Sequence, residues 1–159
     1  RQRQMCIRDS YCAALARTFL INPSLLQQKC YSALAEVELA VIKWLVPGAV
    51  LGDVYDRAVA LLNEKAPYLV PHFSKECGTG IGLEFRESSL RIKAGNPETV
   101  KAGMCFNVRI GVEDVVNKVK ETEVNVNELK TFSMLLSDTV IIGEATGADA
   151  GSEMCIRDR

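Results

Sequence analysis

After the first twenty residues, apolar residues recur at helical spacing and predict a long helix. Asn22 and Pro23 supply an N-cap and a first-turn proline. Pro47 and Gly48 cannot continue a helix and predict its end. The predicted buried face of this helix consists of Leu26, Cys30, Leu34, Val37, Val41 and Leu45.

A second, shorter helix is predicted before Pro67. Asp53 can act as its N-cap, because a short carboxylate side chain accepts from the free N–H groups of a first turn. The apolar positions that repeat at helical spacing, and so predict its buried face, are Val54, Ala58, Leu61 and Leu62.

Shorter apolar runs on either side of the helices predict strands. They lie at residues 11–20, around 90–92, at the end of 96–111 and over 132–144. The run 96–111 begins with a turn and an acidic helical start. Residues 112–130 are charged and weakly patterned, which predicts a loop or hairpin excursion. A strand, two helices and then several strands favour an α+β fold, with helices packed on one face of a mainly antiparallel sheet.

Composition excludes some classes of function. The 159 residues suit one domain, and 48% apolar with 25% charged residues is ordinary globular composition. The net charge of −1 comes from interspersed acids and bases, so direct DNA binding by this segment is not expected. The sequence contains no apolar run of membrane-spanning length, and no signal peptide is expected.

The cysteines do not form a recognisable metal or disulfide pattern. The six cysteines contain no C-x-x-C spacing, and His72 is the only histidine. A zinc site or disulfide framework is therefore not expected. Four of the cysteines are scattered as in a reduced intracellular protein: Cys12, Cys30, Cys77 and Cys105.

Nearly identical hexapeptides stand at the two ends, MCIRDS at 5–10 and MCIRDR at 154–159. The nucleotides that encode Met-Cys-Ile-Arg-Asp resemble the transposon mosaic end used in preparing sequencing libraries. We therefore expect residues 1–10 to be non-native and adapter-like, and 148–159 to be a linker followed by a second adapter-like stretch. The native domain is then expected to span 11–147.

The stretch GTGIGLEFRES, residues 78–88, places Gly78, Gly80 and Gly82 at period two. Glycines at this spacing indicate a backbone that another group approaches closely. The approach is explained either by a strand packed closely against a helix or by a catalytic cleft. The spacing does not fit the G-x-G-x-x-G phosphate-binding pattern, and no helix start follows.

Four ordered motifs now identify a family: YCAALARTF, CGTGIGLEFRES, GMCFNVRIG and SDTVII. Together they resemble the pita-bread (creatinase/aminopeptidase-like) fold of methionine aminopeptidases and aminopeptidase P. HFSKECGTGIGLEFRESSL with GMCFNVRIG resembles more closely the peptidase-like domain of the large subunit of FACT, a histone chaperone. The resemblance implies a lobe that is incomplete at its N-terminal side, with an open strand edge where residues 11–20 begin.

Active pita-bread enzymes hold two metal ions with two Asp, one His and two Glu, and the resemblance shows what replaces them. The positions of one Asp, the His and both Glu are occupied by Ala14, Thr79, Arg109 and Ser137, and Arg86 occupies that of a catalytic His. Hydroxyls are poor substitutes for anionic ligands. At an effective dielectric of about 20, a guanidinium ~4 Å from a cation raises the energy of a single positive charge by roughly 4 kcal/mol, and that of a divalent ion by twice as much. We therefore expect no metal, no cofactor and no catalysis.

The resemblance implies a nuclear, chromosomal protein that acts in nucleosome reorganisation during transcription, replication and repair. The implied partners are histones and, through the full-length protein, the smaller FACT subunit, with no membrane contact. A candidate protein-binding groove consists of Glu84, Arg86, Glu87 and Arg109. A solvated strand face is the alternative reading of Glu84, Arg86 and Glu87.

Three alternatives stay open. A metal-dependent aminopeptidase or prolidase requires ligands that the sequence lacks, and a structural scaffold domain requires no site at all. Nucleophilic catalysis would use Ser88, Ser89 or Ser137 with His72 as base, or Cys77 with His72, but no third group is evident to orient the base.

Overall fold

The structure is a computed structural model. It describes residues 11–116 and 131–143 in full, and 3–7 and 153–154 as backbone strands. Most of the predicted loop or hairpin excursion over 112–130 therefore lies outside the described residues, as do the predicted linker, half of the first terminal hexapeptide and most of the second.

The first helix, α1, spans Leu25–Trp44 and begins at a capping box. The Ser24 hydroxyl accepts from the Gln27 N–H at 3.3 Å, and the Gln27 side chain accepts from the Ser24 N–H at 2.8 Å. The predicted cap at Asn22 is wrong: Asn22 adopts a positive φ of 48° in the turn before the helix. The predicted end before Pro47 is confirmed.

The second helix, α2, spans Leu51–Lys65 and begins two residues before the predicted cap. Asp53 lies in its first turn instead, where a carboxylate interacts favourably with the positive end of the helix dipole. The first free N–H groups are satisfied by a distant loop: those of Leu51 and Gly52 donate to Glu98 O and Asn96 O. A short 3₁₀ helix, Pro67–His72, follows α2.

The predicted buried faces of both helices are confirmed, with the outermost positions only partly covered. The buried members are Cys30, Leu34, Val37, Val41 and Leu45 on or just after α1, and Val54, Ala58 and Leu62 on α2. The partly buried members are Leu26 and Leu61.

The strands form antiparallel pairs throughout the described residues. They are β1 Arg3–Ile7, β2 Tyr11–Leu15, β3 Gly78–Gly80, β4 Glu87–Arg91, β5 Cys105–Val116, β6 Thr131–Ile141 and β7 Glu153–Met154. The main sheet has the order β4-β3-β5-β6-β7, and β1 and β2 form a hairpin. Ala16, just after β2, bridges to Ser137 of β6. Because α1 packs on β5 and β6, the predicted α+β fold is confirmed.

Two sequence predictions about the strands and the segments next to them need correction. The strand edge predicted to be open is paired, since Met5 of β1 lies opposite Ala13 of β2. The helical start predicted within 96–111 is absent, and turns lead into β5. β5 continues to Val116, past an irregularity at Asp114, which has a φ of 54°, and pairs there with Thr131 of β6, so the start of the predicted loop or hairpin excursion over 112–130 lies in a hairpin strand.

The outer edge of β4 is covered by a side chain from the turn that follows it. Asn96 is buried, and its Nδ2 donates to Ser89 O at 3.0 Å and to Arg91 O at 2.6 Å. These bonds satisfy two carbonyls that an edge strand would otherwise present to another chain.

The two faces of the sheet differ in character. Phe106, Val108 and Ile110 of β5 are buried in the core that contains α1 and α2, whereas the alternating Asn107 and Arg109 point to the opposite face. Among the described residues, no helix is long and apolar enough to cross a membrane.

Candidate functional site

The strand register places the predicted former ligand positions on the sheet face opposite the helices. Thr79 of β3 lies opposite Asn107 of β5, which lies opposite Thr139 of β6. Two residues along, Arg109 lies opposite Ser137. Directly opposed residues share a face of a sheet, so these five side chains lie together.

At the centre of this face, neutral polar groups satisfy one another. The Asn107 side-chain amide donates to Ser137 Oγ at 2.9 Å and to Ala14 O at 3.0 Å, and the Ser137 hydroxyl is 3.1 Å from Asn107 Oδ1. Thr139 Oγ1 accepts from the Ala14 N–H and donates to Ala14 O, both at 2.9 Å. The buried polar atoms thus have partners within the protein.

Asn107 was missed by the sequence analysis, although one signal pointed to it. In FNVRI, a polar amide alternates with the apolar residues of a strand, which places it on the face that carries Arg109. Only the register shows that its partners are Ser137 and Ala14.

A small cavity beside this network brings two of the predicted groove residues together. Thr79, Arg86, Asn107 and Arg109 line it, with Glu76 at one side, and its volume is about 10 Å³. This is about the space that one water molecule requires. The other two predicted groove residues, Glu84 and Glu87, do not line it: Glu84 is exposed on the preceding turn, and Glu87 is partly exposed at the start of β4.

The electrostatics of this cavity disfavour a cation. Within the described residues, the guanidinium groups of Arg86 and Arg109 have no carboxylate partner. Glu76 is already paired with Arg91, with 2.6 Å between Oε2 and Nη2. Two uncompensated positive charges at one small cavity repel a metal ion.

No metal-binding cluster is found in the described part of the chain. In residues 11–116 and 131–143, no three His, Cys, Asp or Glu side chains are grouped so that they could hold a metal ion. Thr79, Arg109 and Ser137 therefore do not fit the two-metal centre of the active enzymes, which requires anionic or imidazole ligands.

A wider groove, with a volume of about 730 Å³, adjoins the cavity and shares Arg109 with it. Its charged side chains have mixed signs: Lys75, Arg91 and Arg109 against Glu76, Glu113 and Asp114. A volume of this size is within the range of ligand and peptide pockets, about 300–1,000 Å³.

The nucleophile alternatives are not supported by the geometry. Ser137 is hydrogen-bonded to Asn107, and Ser88 and Ser89 are exposed on β4. His72 Nδ1 lies 2.9 Å from Glu113 O, which ties the ring to β5. Burial, reinforced by the charge of Glu76, raises the pKa of the Cys77 thiol to about 12, so it stays an unreactive thiol at neutral pH.

Gly78 and Gly80 let neighbouring strands approach closely, so the predicted packing of a strand against a helix is wrong. A Cβ at Gly78 would lie 2.2 Å from Asn107 O of β5, and Gly78 has a φ of +140°. A Cβ at Gly80 would lie 2.8 Å from the Leu90 side chain of β4. At Gly82 the nearest atom would be a carboxylate oxygen of Glu87 at 3.6 Å, an ordinary contact.

Comparison with known proteins identifies the family. Residues 4–144 match the model of metallopeptidase family M24. The chain belongs to this family.

Curated proteins similar to this chain include subunits of the FACT complex. The FACT complex subunit SPT16 of Zea mays is 42% identical over 136 residues, which cover 86% of this chain and 12% of the relative. The FACT complex subunit spt-16 of Caenorhabditis elegans is 44% identical over 137 residues, 86% of this chain and 13% of the relative. The chain thus spans about an eighth of the length of these relatives.

Solved structures agree with this similarity. The N-terminal domain of FACT complex subunit SPT16 from Cicer arietinum is 43% identical with a TM-score of 0.79, and the match covers 86% of this chain and 31% of that one. Prolidase from Pyrococcus furiosus has a TM-score of 0.74 at 21% identity, covering 95% of this chain and 39% of the prolidase. At this identity, the similarity to the prolidase shows a shared fold and nothing more. The predicted pita-bread fold is confirmed.

Proposed function

We propose that this chain is a non-catalytic M24 domain of a FACT-type histone chaperone, which contacts histones or other protein partners. The loss of catalysis is supported by the side chains at the centre of the sheet face opposite the helices. Asn107 and Ser137 bond to each other there, and among the described residues neither Arg109 nor Arg86, which flank them, has a carboxylate ion-pair partner. The similarity to SPT16 subunits supports the chaperone role.

A hydrolytic M24 mechanism needs a bound divalent metal to activate water. The sheet face offers hydroxyls, an amide and guanidiniums where such a metal would need carboxylates and imidazole. We therefore assign no catalytic step to these residues.

The wider groove is the surface that we assign to protein contact. It extends from the small cavity at Arg109, where Arg86 also lies, to Glu113 and Asp114 at the far end of β5. Carboxylates on an accessible rim attract a basic segment such as those of histones, and mixed charges favour a specific orientation. Glu84 and Glu87, outside the cavity lining, extend the proposed surface along the turn before β4 and onto the start of that strand.

The remaining assignments follow the SPT16 likeness. We place the protein in the nucleus, on chromatin, acting in nucleosome reorganisation during transcription, replication and repair. Histones and the smaller FACT subunit are the proposed partners of the full-length protein. We expect no direct DNA binding by this segment, because its acidic and basic residues are interspersed and its net charge is −1.

The first experiment separates the enzyme from the binding domain. The 159-residue chain is titrated calorimetrically with zinc, cobalt and manganese, alongside a leucyl-peptide hydrolysis assay. We expect no stoichiometric metal binding and no turnover. Tight stoichiometric binding with turnover would overturn the non-catalytic assignment.

The second experiment tests histone contact. Purified core histones are captured on the immobilised chain, with lysozyme as an unrelated basic protein. Combining Glu113→Gln with Asp114→Asn removes two groove charges, and asparagine tolerates the positive φ at 114. At roughly 0.5 kcal/mol for each exposed charge, we expect about fivefold weaker histone capture. Asp53→Asn with Glu64→Gln, exposed on α2, is the matched control. Equal capture of lysozyme, or no difference between the two double variants, would favour a structural scaffold.

A further inference from the structure

Glu38 is a carboxylate buried beneath the main sheet. It lies on the face of α1 that packs on β5 and β6, and only 6% of its surface is exposed. Its Oε1 has no hydrogen-bond partner among the described residues. An ionised carboxylate in such a place is strongly disfavoured, because no donor replaces the water that Oε1 has lost.

The charged groups that act on Glu38 come from two other elements. Asp138 of β6 is 3% exposed and is held by Arg17, with 2.6 Å between Oδ1 and Nη2. Arg17 follows β2 and reaches across the edge of the sheet. The other elements packed on α1, namely α2 and β5, contribute apolar side chains to the same core. One guanidinium therefore stands near two buried carboxyl groups.

Arg17 also helps to hold its own segment against β6. Its Nη1 donates to Ala16 O and to Ser137 O, both at 2.9 Å. Ala16 and Ser137 exchange backbone hydrogen bonds at 3.0 Å in both directions. Arg17 thus connects the ion pair with Asp138 to the backbone contact between this segment and β6.

We propose that Glu38, Asp138 and Arg17 form a proton-linked latch. When Glu38 is protonated, Arg17 remains paired with Asp138, and the segment around Ala16 remains hydrogen-bonded to β6. When Glu38 loses the proton, a second negative charge appears in the dry core, and water must enter through the Arg17 side to solvate it. This loosens the segment from β6.

The direction of the pH dependence follows from the protonation of Glu38. Burial first, and the charge of Asp138 second, raise its pKa from 4.5 to about 7, while Arg17 lowers it. The folded protein holds this proton more tightly than the unfolded chain does. The stabilisation is therefore complete below pH 4.5, falls as the pH rises from there, and is lost above about pH 7. A full shift of this size changes the folding equilibrium on the order of a hundredfold.

The test uses the 159-residue chain and its Glu38→Gln variant, in which the side chain keeps its shape but cannot ionise. Urea unfolding is measured from about pH 5 to about pH 8.5, together with amide hydrogen exchange at Ala16 and Ser137, corrected for the intrinsic effect of pH. We expect the wild type to lose stability across this range, with exchange at both amides faster by roughly tenfold or more at the upper limit. The Gln variant should show neither effect. Glu36→Gln, on the exposed side of α1, is the matched control and should behave as the wild type.

Two results would overturn the latch. Parallel pH profiles for wild type and Glu38→Gln would show that Glu38 does not carry the proton. A fall in stability without faster exchange at Ala16 and Ser137 would show that the proton acts on the core alone. If the Gln variant does not fold, carbon NMR can follow the titration of the Glu38 carboxyl group in the wild type. A titration midpoint below about pH 5.5 would refute the proposal.

Discussion

Replacing Gly78 with alanine introduces one methyl group between β3 and β5, directly beside the candidate site. The added Cβ would lie 2.2 Å from Asn107 O, whereas ordinary contacts begin near 3.4 Å. The obstacle is backbone, so it cannot rotate away. The φ of +140° adds strain that an L side chain rarely tolerates.

The cost can be worked out from these two effects. Backbone strain at a positive φ costs roughly 1–3 kcal/mol. Relieving the clash moves β3 away from β5 and weakens neighbouring bonds such as Arg109 N–H to Cys77 O, 2.8 Å, at about 1 kcal/mol each. We expect a total loss of about 3–5 kcal/mol, a large share of the ~5–15 kcal/mol stability of a typical domain.

Urea denaturation followed by circular dichroism measures this loss. Gly82→Ala is the control, because its Cβ would meet only a flexible carboxylate at 3.6 Å and its φ is not positive. It should fall within about 1 kcal/mol of the wild type, since restricting the unfolded chain offsets small costs. A loss below about 1 kcal/mol for Gly78→Ala, or equal losses for both variants, would refute the argument from close strand approach.

Other variants test the remaining contacts by urea unfolding. Asn96→Ala removes the two bonds that cover the β4 edge and should cost about 2 kcal/mol, with increased light scattering as the edge becomes available to other chains. A stable, monodisperse variant would contradict that role. Arg17→Gln leaves Asp138 buried without its ion pair and should cost about 3 kcal/mol at neutral pH. Lys65→Gln, which breaks an exposed ion pair between the two helices, should cause no measurable change in the free energy of unfolding. Similar losses for Arg17→Gln and Lys65→Gln would show that burial does not determine how much an ion pair stabilises the fold.

Much of the fold could be predicted because the signals were local. The apolar positions of α1 recur at a period that only a helix buries on one face, and Leu34, Val37 and Val41 are buried accordingly. Pro47 and Pro67 limit the helices through their own geometry, without help from distant residues. The motif resemblance added the pita-bread fold, which the M24 match and the solved structures confirm.

The start of α2 depended on contacts that leave no local trace. It begins before Asp53 because Glu98 O and Asn96 O, more than forty residues along the chain, satisfy its first N–H groups. The predicted open edge at residues 11–20 was wrong because β1, which lies in the residues expected to be adapter-like, pairs with β2.

The candidate site, too, could be predicted only in part from the sequence. The sequence alone showed that Thr79, Arg109 and Ser137 lack carboxylates and imidazole, because residue type is all that this statement needs. Only the tertiary structure paired Asn107 with Ser137, and placed Arg17 on Asp138 across 121 positions of sequence. A periodic pattern records which side of an element is buried, but a hydrogen bond between distant side chains depends on strand register, which is set by the packing of the whole sheet.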